Sequence, residues 1–206
     1  MRAIYERADI VVADGMPVVW ASSLLGAPLP ERVAGIDLMH AVATSLAARG
    51  GSVFLLGGDP AVGPAAAHAL AGSNPGLVIA GTADGYFDAA SDRAVVATVN
   101  ESGADALFIG MGSPRQEEWA LNHGSELRPR IVLCIGGALE VVAGRRKRAP
   151  RWMQSAGLEW SYRLMQEPGR LWKRYLVEDA AFVGVVYDEW LQQRRSRAVR
   201  ARSTSA

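Results

Sequence analysis

Val53-Phe54-Leu55-Leu56-Gly57-Gly58-Asp59-Pro60 reads as a buried strand that stops at a glycine turn and feeds a helix. Four consecutive apolar residues are strand length, and the stretch that follows, residues 61–71, carries apolar residues at three-and-four spacing. The same pattern recurs on both sides. Further apolar runs lie at 10–13, 77–80, 106–109 and 131–135, and helical patterns at 17–25, 36–48, 92–102 and 114–122. Strands that alternate with helices predict a parallel sheet covered on both faces, an α/β fold of Rossmann-like type. Several runs end in glycine turns: Gly57-Gly58, the segment from Gly81 through Asp84 to Gly85, Gly110-Met111-Gly112, and Gly136-Gly137. Where such a turn opens a helix, the first amides are unpaired and the helix dipole is positive, so this edge is expected to attract a phosphorylated ligand.

At 206 residues, half of them hydrophobic, the chain supports one well-buried core and an appendage. The expected division is a core over 1–144, a helical appendage over 145–193 and a frayed basic tail over 194–206. The net charge of +1 hides an asymmetry. Residues 1–144 hold 8 Lys+Arg and 15 Asp+Glu, whereas residues 145–206 hold 14 and 6. A basic segment of this kind is drawn to phosphates on lipid, nucleic acid or substrate. It also carries Trp152, Ala156, Trp160 and Leu164 at four-residue steps, and Pro168 is expected to end one helix and start another with Leu171, Trp172 and Tyr175. Those tryptophans either pack the arm onto the core or meet a membrane interface. The single cysteine, Cys134, sits in an apolar run and reads as a small buried residue in a reducing compartment. No signal-peptide pattern opens the chain and no apolar stretch of about 18 residues occurs, so neither export by a standard signal nor a membrane span is expected.

The candidate chemistry begins at Asp14, at the end of run 10–13 and just before Gly15 and Pro17. It reads either as the cap of the following helix or as a general base at the sheet edge. Ser113 and Gln116 have capping-box spacing with Pro114 at the first helical position, and ligand contact is the alternative. Arg32 lies in the mostly apolar loop Pro30-Glu31-Arg32-Val33, where its guanidinium requires a carboxylate or a bound phosphate. Arg115 reads as a surface charge or a second anion contact. No third glycine completes a dinucleotide fingerprint after Gly110-x-Gly112, no P-loop occurs, and His40, His68 and His123 lack metal-ligand spacing. There is no Asp-x-Asp pair for a hard cation, so a leaving phosphate would be neutralised by arginine or helix amides.

The ordered set Ala13-Asp14-Gly15-Met16-Pro17, Leu29-Pro30-Glu31-Arg32-Val33, Phe54-Leu55-Leu56-Gly57-Gly58, Gly110 through Glu117, Gly136-Gly137-Ala138-x-Glu140 and Gly157-Leu158-Glu159-Trp160, with Arg163 and Arg170, resembles the WecG/TagA/CpsF glycosyltransferases. The resemblance covers residues 8–182. It implies an inverting, metal-independent enzyme that moves a sugar, N-acetylmannosamine or a relative, from a UDP-sugar to a polyprenyl-diphosphate-linked acceptor in bacterial surface-polysaccharide or teichoic-acid-type synthesis.

Carried over by motif, Asp14 matches the base, and Arg32 and Gln116 match active-site polar residues. Gly57, Gly58, Asp84, Gly112, Ser113, Pro114, Arg115, Gly136, Gly137 and Glu140 are the expected substrate contacts. Arg163, Arg170, Lys173 and Arg174 are the expected diphosphate and membrane contacts. No cofactor and no nucleic acid are expected, and the place of action is the cytoplasmic face of the cell membrane. Monomer and homo-oligomer both stay open. Members of the family carry a longer segment ahead of the Ala-Asp-Gly motif than this sequence, in which thirteen residues precede Asp14. A UDP-glucose or UDP-glucuronate transferase, and an inactive UDP-sugar or membrane-binding module, are the alternatives; a nucleic-acid binder lacks a fold signature.

Overall fold

The computed structural model describes residues 2–173 and 179–203. Its elements in order are α1 (Arg2–Tyr5), α2 (Met16–Leu24), α3 (Gly35–Ala47), β1 (Ser52–Gly57), α4 (Val62–Ser73), β2 (Val78–Ala83), α5 (Asp92–Glu101), β3 (Ala106–Gly110), α6 (Arg115–His123), β4 (Ile131–Cys134), α7 (Ala138–Val142), α8 (Arg151–Ser155), α9 (Glu159–Gln166), α10 (Pro168–Lys173) and α11 (Asp179–Ser203). The chain forms two compact units, Met1–Val11 with Ala34–Lys147, and Val12–Val33 with Arg148–Ala206. The sequence placed residues 12–33 with the sheet; they group instead with the C-terminal helices.

The first unit holds a four-stranded sheet in the order β2-β1-β3-β4, with every pair parallel. The central strands are apolar throughout because both faces are covered. Alternate side chains serve opposite layers. Val53, Leu55, Ala106 and Phe108 pack with Met39, Ala43, Leu46, Ala66 and Leu70 of α3 and α4. Phe54, Leu56, Leu107 and Ile109 pack with Val96, Val99 and Trp119 of α5 and α6. Each fully buried Leu or Phe contributes roughly 1.5–3 kcal/mol of transfer free energy. Chain order reverses between β1 and β3, which puts the topological switch point at the ends of those two strands.

Two sequence expectations fail here. Run 10–13 is not a strand: it pairs with no sheet edge, and Ile10 and Val11 are 81% and 57% exposed. Apolar composition permits a strand, but only a neighbouring backbone makes one. The turn expected from Gly81 begins at Asp84, because β2 runs on to Ala83. Gly81 is a packing residue, since a Cβ there would lie 2.6 Å from the Phe54 ring.

In the second unit the four-residue rhythm of Trp152, Ala156, Trp160 and Leu164 is not one helix. Gly157, at φ +72°, closes α8: the Gly157 amide donates to the Gln154 carbonyl (3.1 Å) and the Leu158 amide to the Met153 carbonyl (2.8 Å), a Schellman ending. As expected, a helix begins at Pro168. The last helix, expected over about 180–193, continues to Ser203, through the segment read as frayed. Trp152, Trp160 and Trp172 are 65%, 41% and 51% exposed and so do not serve as core packing. No helix among the described residues is long and apolar enough to cross a membrane.

Candidate functional site

The second unit gathers charged side chains from four distant stretches. Gly15 caps α2 with extended backbone and Pro17 lies in its first turn, which leaves Asp14 outside the helix with no capping role. Two contacts then place Asp14. The Val33 amide donates to the Ala13 carbonyl (2.9 Å), which holds the Arg32 loop beside the segment ending at Asp14. The start of α2 lies against the α8–α9 corner, where a Cβ on Gly157 would come within 2.9 Å of Met16. That close approach, together with the positive φ, accounts for glycine at 157.

Glu159 opens α9, where a carboxylate also complements the helix dipole. Arg32 Nη1 donates to its Oε2 at 2.8 Å, Arg163 Nη2 lies 3.6 Å from its Oε1, and Arg148 Nε lies 4.0 Å from the same oxygen. The partner that Arg32 requires is therefore a carboxylate of its own chain. Asp14 is open to solvent on one side and crowded by protein on the others. Lost hydration holds its carboxyl above the usual carboxylate value, against the opposing pull of Arg163, Arg32 and Arg148 and with a push in the same direction from Glu159. An apolar groove of about 270 Å³, lined by Val18, Ala21, Leu25, Phe182, Val185 and Val186, runs along α2 from this end. Arg170 and Lys173 have backbone places in α10, their side chains lie outside the described set, and Arg174 lies outside the described residues.

The first unit builds its own edge at the ends of β2, β1 and β3. The Gly58 amide donates to the Gly110 carbonyl (3.3 Å), and the Gly85 amide to the Gly58 carbonyl (2.9 Å). A Cβ on Gly57, which has φ +138°, would lie 2.4 Å from the Gly110 carbonyl oxygen, so this floor admits only glycine. Gln116 is buried and its side chain does not cap α6. Its Oε1 accepts from the Gly136 amide (2.9 Å) and its Nε2 donates to Glu117 (2.8 Å). The capping-box reading of Ser113 and Gln116 is thereby overturned; Gly112, Ser113 and Pro114 form the exposed approach to α6, through a cis Ser113-Pro114 bond. Glu140 pairs with Arg146 at 2.5 Å, with Gly137 beside the Arg146 guanidinium. Arg115 donates to the Phe87 carbonyl (2.7 Å) and stacks on the Phe87 ring. The Asp84 carboxylate is engaged by the Tyr86 amide, and Asp59 accepts from the Ala61 and Val62 amides, which occupies the start of α4 that the sequence left open to an anion. Among the described residues, no three His, Cys, Asp or Glu side chains gather as a metal-binding group.

The sequence pattern described as the Glycosyl transferase WecG/TagA/CpsF family matches residues 1–196. The chain belongs to this family. It is similar to proteins of Staphylococcus aureus named N-acetylglucosaminyldiphosphoundecaprenol N-acetyl-beta-D-mannosaminyltransferase. The protein of strain MRSA252 is 38% identical over 171 residues, and those of strains MW2 and NCTC 8325 / PS 47 are 37% identical over the same length. The match covers 83% of this chain and 65% of each relative.

In this WecG/TagA/CpsF member, sequence reasoning found Asp14, Arg32 and Arg163 but not what joins them. Glu159 was visible only as part of a motif, and Arg148 only as part of a basic run. The signal that singles out Glu159 is an acidic residue at a helix start four residues before an arginine, inside an otherwise basic tail.

Proposed function

We propose that this chain is an inverting, metal-independent glycosyltransferase that moves N-acetylmannosamine or a related sugar from a UDP-sugar to a polyprenyl-diphosphate-linked acceptor. The observation that carries the reading is Asp14, a solvent-accessible carboxylate raised by partial loss of hydration and within the field of three arginines. A carboxyl held above its usual value is a stronger base than a free aspartate, as general-base work requires. Asp14 takes the proton of the acceptor hydroxyl as that oxygen bonds to the anomeric carbon. The bond from that carbon to the donor phosphate breaks from the opposite face, and its electron pair leaves with UDP. Arg32, Arg148 and Arg163 supply positive charge for the diphosphate, in the role a divalent cation fills elsewhere.

Membrane attachment belongs to the same reading. Exposed Trp152, Trp160 and Trp172 lie in the basic segment, and each Lys or Arg near an anionic surface adds roughly 1 kcal/mol. The apolar groove along α2 suits an isoprenoid tail. The test is UDP release from a panel of UDP-sugars with a short-chain polyprenyl-diphosphate-GlcNAc acceptor. Acceptor-dependent release that Asp14→Asn abolishes supports the reading; an inert full chain that still binds UDP overturns it in favour of a binding module.

A further inference from the structure

Glu159 is the carboxylate of the charged cluster that is most deeply enclosed, with its side chain 9% exposed. Three guanidinium groups reach it from three parts of the chain: the loop after α2, the segment before α8, and the next turn of α9. We propose that Glu159 is a positioning residue of the Asp14 site, holding Arg32 fixed and Arg163 on a loose tether while it shares the three arginines with Asp14. This rests on the reading of Asp14 as the base and adds how that base is kept effective.

The two main contacts differ in kind. Arg32 is 14% exposed and bonds at 2.8 Å, so moving it would strand a buried carboxylate. Arg163 is 49% exposed and sits at 3.6 Å, held by the field more than by a directed bond. It is free to turn toward an incoming phosphate while Arg32 keeps Glu159 neutralised. The second consequence is electrostatic. The charged groups acting on Asp14 are Arg163, Arg32 and Arg148, which favour its ionised form, and Glu159, which opposes it. Without Glu159 the uncompensated arginines would pull the Asp14 carboxyl down and weaken it as a base.

The experiment follows the Asp14 carboxyl by 13C NMR in the full chain, with the signal assigned by Asp14→Asn, alongside the pH profile of kcat/KM for acceptor-dependent UDP release. In Glu159→Gln the Asp14 signal should titrate at lower pH, the acid limb of the profile should move with it, and the plateau kcat should fall on the order of tenfold. Glu159→Asp should keep the signal near its wild-type position, and Arg163→Gln should move it the opposite way, to higher pH. A folded Glu159→Gln protein whose Asp14 signal and acid limb stay in place overturns the proposal, since a merely structural role lowers rate without moving either. If Glu159→Gln does not fold, an Asp14 signal unmoved in Arg163→Gln overturns it equally. The two readings separate cleanly: full turnover by Asp14→Asn removes the base role, whereas the NMR titration tests the charge sharing whether or not Asp14 is the base.

Discussion

The sheet edge of the first unit is made of backbone amides, glycines and the neutral Gln116, whereas the cluster of the second is made of five ionisable side chains with Glu159 among them. Gly57 and Gly110 work by absence of bulk, and their contribution does not change with pH. Asp14, Arg32, Arg148, Glu159 and Arg163 work by charge, and the Asp14 carboxyl feels the other four. One region offers a shape that a phosphate or sugar can approach closely. The other offers a tunable proton acceptor and counter-charge. Shape and charge are thus set in different parts of the chain.

The largest expected effect is on chemistry. Asp14→Asn should lower kcat about 10²- to 10⁴-fold, the range for a lost general base, with UDP affinity retained in a titration; unchanged turnover would break the comparison at its charged side. Because the Asp14 carboxyl is raised in the folded state, folding binds a proton more tightly than the unfolded chain does. The stability contributed by this proton is therefore lost as pH rises from the ordinary aspartate value through the raised one, with no further loss above it. The same substitution should accordingly raise Tm at pH 7, by no more than about 2 °C because water reaches the side chain.

On the neutral side the lone thiol gives the next test. Burial pushes Cys134 up to about 12, with the Glu117 carboxylate adding to the shift. Maleimide labelling of the native protein at pH 8 should be slower than that of a free thiol by about 10²-fold or more and should recover in urea, since the thiolate is the reactive form.

Stability separates the two arginines. Arg32→Gln should cost about 2 kcal/mol or more in urea unfolding, as it strips the tight partner from a buried carboxylate, whereas Arg163→Gln should stay within about 1 kcal/mol. Equal losses would show that the tether and the fixed contact are not distinct. Gly57→Ala should cost about 1–3 kcal/mol and weaken UDP binding, because the clash is with backbone that cannot turn aside. The smallest effect is Trp152→Ala, within about 0.5 kcal/mol in stability yet with reduced flotation on anionic vesicles.

Most of the sheet was legible because its signals are local. A run such as 53–56, a glycine pair and a three-and-four pattern each lie within a dozen residues, and β1, α4, β3 and α6 fall within two residues of their expected bounds. Run 10–13 misled because an apolar extended segment and a strand have the same composition; hydrogen-bonding partners, which come from elsewhere in the chain, make the difference. The Trp152–Leu164 rhythm misled because a four-residue repeat continues across a Schellman turn, and only the positive φ of Gly157 reveals the break.

By itself the sequence determined the α/β alternation, the glycine edge and the basic C-terminal segment, and it singled out Asp14, Arg32 and Gln116 as polar residues in apolar or turn settings. Tertiary structure decided what those residues do with one another. It turned Gln116 from a helix cap into a buried link to Gly136, gave Arg32 a partner 127 positions away, and set Glu159 at the centre of three arginines. The reason is range. Propensity and periodicity act over a few neighbouring residues, whereas an ion pair depends on a distance of a few ångströms, and only the folded chain brings residues 32, 148, 159 and 163 within that reach.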